Sequence, residues 1–314
     1  MSNSMIYTVT LNPAVDKTVY VDNFALDTVN RCREVRTDAG GKGINVSKTI
    51  EASFNGKSCA VAVLGGAAGS SIKHALDSAD IENLVFENEG ETRTNTKIVD
   101  LVKKTYTDVN EPGAPVNKEL LASALAQTVQ ALQPNDIVVF SGSLPRGAAT
   151  DTYADWIRTC KDAGARTVLD ADGDAMCAGI EAAPFLAKPN EVELGRIVGR
   201  KLSTDEEIIK AARTLLDKGV EQVMVSMGGE GAIFVSTDAT FRIHSPKAKV
   251  VSTVGAGDSV VAALVFALDQ QKTTEEAIRL AMATGPATVM QPGSKPANPA
   301  DIERFLDLVE ITEL

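Results

Sequence analysis

From Pro115 onward the chain alternates between helix-period and strand-like segments, and that rhythm limits its fold more than any other feature. A helix is expected over 118–132, a strand over 136–141, a helix over 150–163 and a strand over 166–170. Further strands are expected at 184–188, 222–226 and 232–235, and helices at 191–198, 205–218, 256–268, 274–290 and 299–309. Repeated strand–helix–strand units of this kind build an α/β fold, a doubly wound, mainly parallel sheet covered by helices on both faces.

The first part of the chain breaks the rhythm. IYTVTL at 6–11 is rich in β-branched residues and reads as a buried first strand, stopped by Asn12 and Pro13. Segments 17–22 and 32–37 alternate apolar and polar residues like half-exposed strands, with no helix between them. A strand is expected at 58–64 and a helix near 70–78. Segments 84–87, 94–102 and 105–109 then follow as strands without helices. We read the helix-free strands, within 12–38 and 84–110, as a small sheet standing off the main body. No repeat, low-complexity tract or linker is evident, so a single domain over 1–314 is expected.

In open α/β sheets ligands bind beyond the carboxyl ends of the strands, and several motifs fall there. VSTVGAGDS at 251–259 runs straight into an apolar helix. Gly255, Ala256 and Gly257 are small enough for an anion to reach the unpaired N–H groups of that helix start, where the helix dipole adds positive charge. Asp258 beside a phosphate can take a proton from an attacking hydroxyl; the plain alternative is a helix cap. DAGGKGIN at 38–45 opens a helix through about Phe54, and its glycines let backbone lie flat on a ligand near Lys42 and Asn45. The plain alternative is a tight helix entry, and the GxxxxGK[ST] phosphate-loop pattern does not fit. SGSLPR at 141–146 follows a strand and alone reads as a turn. KPNEVE at 188–193 sets Asn190 and Glu193 one helical turn apart, suited either to magnesium held through water or to stabilising the helix start. SMGGEG at 226–231 offers a backbone nest for phosphate or ribose.

Composition excludes some functions. The net charge of −11 argues against nucleic acid as a partner. No apolar run reaches about 18 residues, and MSNSMIY lacks the form of a signal peptide, so neither a membrane span nor export is expected and the chain is read as cytoplasmic. Cys32, Cys59, Cys160 and Cys177 lie far apart and suggest neither zinc nor a disulfide framework.

Together, NPAVD (12–16), GGKGIN (40–45), TRTN (92–95), SGSLP (141–145), KPNEVE (188–193), SMGGEG (226–231) and STVGAGDS (252–259) resemble the ribokinase/PfkB sugar kinases. More narrowly they resemble the branch that acts on phosphosugars: 1-phosphofructokinases, tagatose-6-phosphate kinases and minor 6-phosphofructokinases. Ser252 stands where many ribokinase-like kinases carry Asp, but this branch often reads STVGAGDS. The resemblance implies a ribokinase-like fold with a small β-sheet lid that often pairs with its twin in a homodimer.

It also implies residue roles. Asp258 matches the catalytic base, and the amides of Val254–Gly257 match the anion hole. Asp16, Gly41 and Asn45 match residues that grip sugar hydroxyls, and Ser141 falls in a substrate-side motif. Arg31, Lys42 and Arg93 are candidates for the substrate phosphate. Lys188, Asn190, Ser226, Gly228, Gly231 and Gly257 fall where the family binds ATP, and Asn190 and Glu193 match its Mg2+-linked motif. The expected partners are ATP and a phosphosugar. Fructose 1-phosphate, phosphorylated on its 6-hydroxyl, is the leading acceptor, with tagatose 6-phosphate and fructose 6-phosphate as alternatives. A kinase for unphosphorylated sugars or nucleosides is disfavoured by the basic residues near the sugar motifs. A non-catalytic sugar-binding protein is disfavoured by the intact GAGD.

Overall fold

The computed structural model describes residues 4–314; the first three residues of the MSNSMIY segment lie outside that range. β1 (Ile6–Thr10) enters the main sheet. β2 (Ala14–Val21) and β3 (Glu34–Gly40) then leave it to begin a second sheet, and α1 (Lys42–Phe54) returns to the body. β4 (Cys59–Leu64), α2 (Gly66–Ser78) and β5 (Glu82–Glu87) form a strand–helix–strand unit, after which β6 (Arg93–Asp100) and β7 (Thr105–Asn110) complete the second sheet. The main body continues with α3 (Lys118–Ala131), β8 (Ile137–Gly142), α4 (Thr152–Asp162), β9 (Arg166–Ala171), α5 (Gly173–Ile180), β10 (Leu186–Ala187) and α6 (Glu191–Ile197). It ends with α7 (Asp205–Leu216), β11 (Gln222–Ser226), β12 (Ala232–Ser236), β13 (Thr240–His244), α8 (Ala256–Asp269), α9 (Thr274–Val289), α10 (Pro299–Leu306) and β14 (Glu310–Glu313).

The ten-stranded sheet runs β5-β4-β1-β8-β9-β10-β11-β12-β13-β14. From β5 to β11 neighbours are parallel; β12, β13 and β14 close one edge as an antiparallel meander. Alternate residues of the parallel strands feed cores on both faces of the sheet, and Ala60, Ala62 and Leu64 of β4 join a third, smaller one with Ile44, Ile72 and Leu76. Val9, Phe140 and Leu169 join the core under α3 to α7, while Ile6, Val139 and Val168 join the one under α1, α8, α9 and α10.

The small sheet runs β3-β2-β6-β7. Its central pair, β2 and β6, is parallel, with Asp16 opposite Asn95, and the outer pairs are antiparallel. The sequence grouped 84–87 with these strands, but β5 pairs with β4 on the edge of the main sheet. The reason is α2: the helix expected at 70–78 is the crossover that a parallel neighbour needs. Three elements had no sequence expectation, namely α5, β13 and β14. The helix expected over 299–309 stops at Leu306, and the strand expected at 184–188 contracts to two residues. Among the described residues no helix is long and apolar enough to cross a membrane, and all four cysteines are free.

Candidate active site

A cavity of about 320 Å³ lies between the small sheet and the carboxyl ends of β1 and β8. Its floor includes the start of α1. Gly41 there has φ 115°, and a Cβ would come within 2.9 Å of Thr10 Cγ2, so neither the backbone nor the space admits a side chain. The small sheet supplies Asp16, Asn95 and Lys97 to the wall. Asn95 Nδ2 donates to Asp16 Oδ1 at 3.2 Å, and burial pushes the Asp16 carboxyl above its usual range against that bond and the nearby cations. Arg93 is held by backbone carbonyls: Nη2 donates to Asn12 at 3.0 Å and Nη1 to Glu111 at 3.1 Å. Nη2 also lies 3.5 Å from Ser143 Oγ, so the guanidinium and this hydroxyl share one corner of the cavity.

Asp258 stands on the opposite wall, in the first turn of α8. Gly255 is the helix cap residue, in a left-handed conformation with φ 78°. The Asp258 carboxylate makes no capping bond; it accepts a 2.8 Å hydrogen bond from Asn45 Nδ2. The plain reading as a helix cap is therefore excluded. Of the amides expected in the anion hole, Val254 donates to Ser252 Oγ and Ala256 to Thr253 O, whereas the N–H groups of Gly255 and Gly257, and that of Asp258, have no partner among the described residues. Burial first, and the charge of Asp170 second, push the Asp258 carboxyl up to about 6, against the pull of Lys42, Asn45 and Lys188. A carboxyl so tuned is ionised at neutral pH yet basic enough to accept a proton.

Two lysines flank this point. Lys188 Nζ is 3.2 Å from the buried Asp170 carboxylate, and a Cβ on Gly257 would lie 3.6 Å from the same ammonium. Lys42 Nζ is 2.8 Å from Asp172 and 3.6 Å from Asp170. Burial works against charge on Lys42, but Asp170, Asp172 and Asp258 outweigh it and hold the ammonium above the usual lysine range. In turn Lys188 and Lys42 overcome burial to hold Asp170 below the usual carboxylate range.

A second cavity, about 610 Å³, lies on the other side of the α8 start. Gly257, Ala256 and Thr253 form one end of it, Ser226, Gly228 and Gly231 line a side, and Met224, Val260, Met282, Pro286 and Val289 make an apolar wall. The two cavities therefore meet at consecutive residues, Gly257 and Asp258.

Asn190 and Glu193 form a reciprocal cap on α6. Asn190 Oδ1 accepts from the Glu193 N–H, and Glu193 Oε2 accepts from the Asn190 N–H, both at 2.8 Å. Among the described residues no three acidic, histidine or cysteine side chains gather as a metal cluster. The donor set therefore suits a cation carried mainly by phosphate and water, with one Glu193 oxygen left for an outer contact.

The structure brings Asp16, Gly41, Lys42, Asn45, Arg93 and Asp258 to one cavity, and Ser226, Gly228, Gly231, Ala256 and Gly257 to the other. It does not gather the three expected phosphate cations. Lys42 points to the acids near α8, and Arg31 lies on an exposed loop between β2 and β3, outside the cavity. Ser141 is fully buried, because strand alternation turns it into the body; Gly142 and Ser143 form the wall instead. Sequence reasoning missed Ser143, Asp170 and Asp172, although the rule of strand carboxyl ends covers all three. It also missed Lys48, which is half-buried and whose Nζ donates to Ala39 O at 2.9 Å and Ser294 Oγ at 3.2 Å.

Known proteins share this architecture along the whole chain. The 1-phosphofructokinase of Bacillus subtilis strain 168 is 38% identical over 310 residues, 99% of this chain and 100% of that one. A tagatose-6-phosphate kinase of Staphylococcus epidermidis is 33% identical over 313 residues, with 99% and 100% covered. Phosphofructokinase-2 of Escherichia coli, solved with substrates and products, superposes with a TM-score of 0.92 at 29% identity, covering 97% of this chain and 99% of that one. A family model described as pfkB family carbohydrate kinase matches residues 9–301, a span holding both cavities and the carboxylate between them, and the chain belongs to that family.

Proposed function

We propose that this carbohydrate kinase is a 1-phosphofructokinase, transferring the terminal phosphoryl group of ATP to the 6-hydroxyl of fructose 1-phosphate. The observation that carries the reading is the meeting of the two cavities at Gly257 and Asp258. An acceptor hydroxyl in the smaller cavity and a triphosphate in the larger one converge on a carboxylate and a set of free amides. In this mechanism Asp258 takes the hydroxyl proton as the oxygen bonds to phosphorus, the bond from phosphorus to the bridging oxygen breaks, and ADP leaves. The amides of Gly255, Gly257 and Asp258, with Lys188 and Lys42, face the charge that develops on the phosphoryl oxygens. Asp16, Gly41 and Asn45 hold the sugar, and Arg93 with Ser143 receives its phosphate. Mg2+ bound with ATP, reached by Glu193 through water, would neutralise phosphate charge.

Relatives named 1-phosphofructokinase recur at 32–38% identity over most of the chain. Tagatose 6-phosphate is the second acceptor, on the strength of the Staphylococcus epidermidis relative. Use of ATP supports a cytoplasmic setting, and the exposed apolar residues of the small sheet, among them Val35, Tyr106 and Val109, support a homodimer through the lid. The deciding experiment measures ADP release with fructose 1-phosphate, tagatose 6-phosphate, fructose 6-phosphate and fructose. The highest kcat/KM is expected for fructose 1-phosphate; a preference for fructose itself would overturn the phosphosugar reading.

A further inference from the structure

α9 carries a proline in its interior, Pro286. A proline has no backbone N–H, so the carbonyl of Met282, four residues earlier, receives no helical hydrogen bond from it. Met282, Gly285, Pro286 and Val289 all line the larger cavity, and their spacing puts them on one face of the helix. The missing bond from residue 286 to residue 282 would run along that face. The released carbonyl therefore lies on the helix face that is turned to the cavity. Gly285 adds no side chain to cover it, and a Cβ there would lie 3.2 Å from Val260 Cγ2, because α8 and α9 pack closely. Met282 and Pro286 are buried, and the wall around them is apolar. A buried acceptor in such a wall is short of a donor until a ligand brings one.

The larger cavity also says what that ligand group is. Its Gly257 end suits phosphates, which leaves the apolar wall of Met224, Val260 and Val289 for a base. We propose that the Met282 carbonyl accepts a hydrogen bond from the exocyclic amino group of the donor's base, making Pro286 the residue that selects a 6-amino purine over a 6-oxo purine. This rests on the larger cavity being the nucleotide site. Adenine presents an N–H donor at its 6-position, whereas hypoxanthine presents an acceptor oxygen. Two acceptors facing each other in an apolar wall repel, so a backbone carbonyl discriminates without any polar side chain.

ATP and ITP have nearly the same size and differ at this edge. With fructose 1-phosphate saturating, kcat/KM for ATP is expected to exceed that for ITP by about ten- to a hundredfold, the range given by one hydrogen bond whose partner is left unpaired. Pro286→Ala and Pro286→Ser return an N–H to position 286 and occupy the carbonyl. In both, the ATP-to-ITP ratio should fall toward unity, with the KM for fructose 1-phosphate unchanged. Calorimetric titration of ADP and IDP into the same proteins should show the same selectivity and the same loss. The inference is overturned if the wild type uses ITP as well as ATP, or if the folded variants keep the wild-type ratio. Should neither variant fold, equal wild-type affinities for ADP and IDP overturn it and a tenfold or greater preference for ADP supports it. Selective ADP binding without phosphate transfer to any sugar phosphate would sink the proposed reaction and leave the base selection standing.

Discussion

Asp258 concentrates the testable chemistry of the site. Its carboxyl is pushed up to about 6, and in the proposed mechanism the carboxylate is the active form, so kcat/KM should fall on the acid side with a midpoint near pH 6. Asp258→Asn should lower turnover by about two to four orders of magnitude. The same substitution should raise the melting temperature at pH 7. A carboxyl whose folded pKa lies above its unfolded value favours folding below about pH 4, and loses that contribution as pH rises toward 6. The stabilisation of Asp258→Asn over wild type should therefore shrink on acidification, which thermal melts at pH 4 and pH 7 would show. Asp170→Asn removes a negative charge that raises the Asp258 pKa, so the acid limb of its rate profile should move to lower pH. An unmoved limb would leave Asp170 as a purely structural residue. Asp258 was legible in the sequence because small residues, a helix start and one misplaced acid coincide in nine residues. Ser143 was not, since choosing between two serines of SGS requires knowing which way the strand faces.

At the scale of elements, α6 separates two uses of one pair of residues. Asn190→Ala removes a cap and should cost about 1 kcal/mol in urea unfolding. Glu193→Gln keeps an acceptor for the Asn190 N–H, because glutamine also serves in a capping box, and should leave stability near wild type. If Glu193 also serves the cation, this variant should need more Mg2+ for half-maximal rate; an unchanged requirement would leave the cap as its whole role. The parallel core of the fold was readable because strand and helix periods alternate cleanly after Pro115. The meander edge was not, since β13 and β14 are short, partly polar strands whose pairing depends on neighbours far along the chain. β5 was misassigned for a related reason: four residues, three of them apolar, do not say which of two sheets they join.

More than half of the exposed large apolar residues lie on the small sheet and its loops, and the two most exposed, Leu26 at 86% and Val29 at 74%, are among them. Sedimentation equilibrium should show a dimer, and replacing Val35 and Val109 together by lysine should yield a folded monomer. A wild-type monomer at micromolar concentration would count against pairing through the lid.

The parallel pairing of β2 with β6 carries a further consequence, for the order of folding. Asp16 and its partner Asn95 are 79 residues apart, and α1, β4, α2 and β5 of the main body lie between them. The small sheet is therefore expected to close after part of the body has formed, since distant pairings are slowed by the chain that bridges them. The chain's one tryptophan offers a clock for the other event. Trp156 is buried on α4 with its ring 6.4 Å from Phe140, inside the main core. On dilution from urea its fluorescence should recover first, and the ability to bind a sugar phosphate should return in a slower phase, so that the protein is briefly a folded body without a pocket.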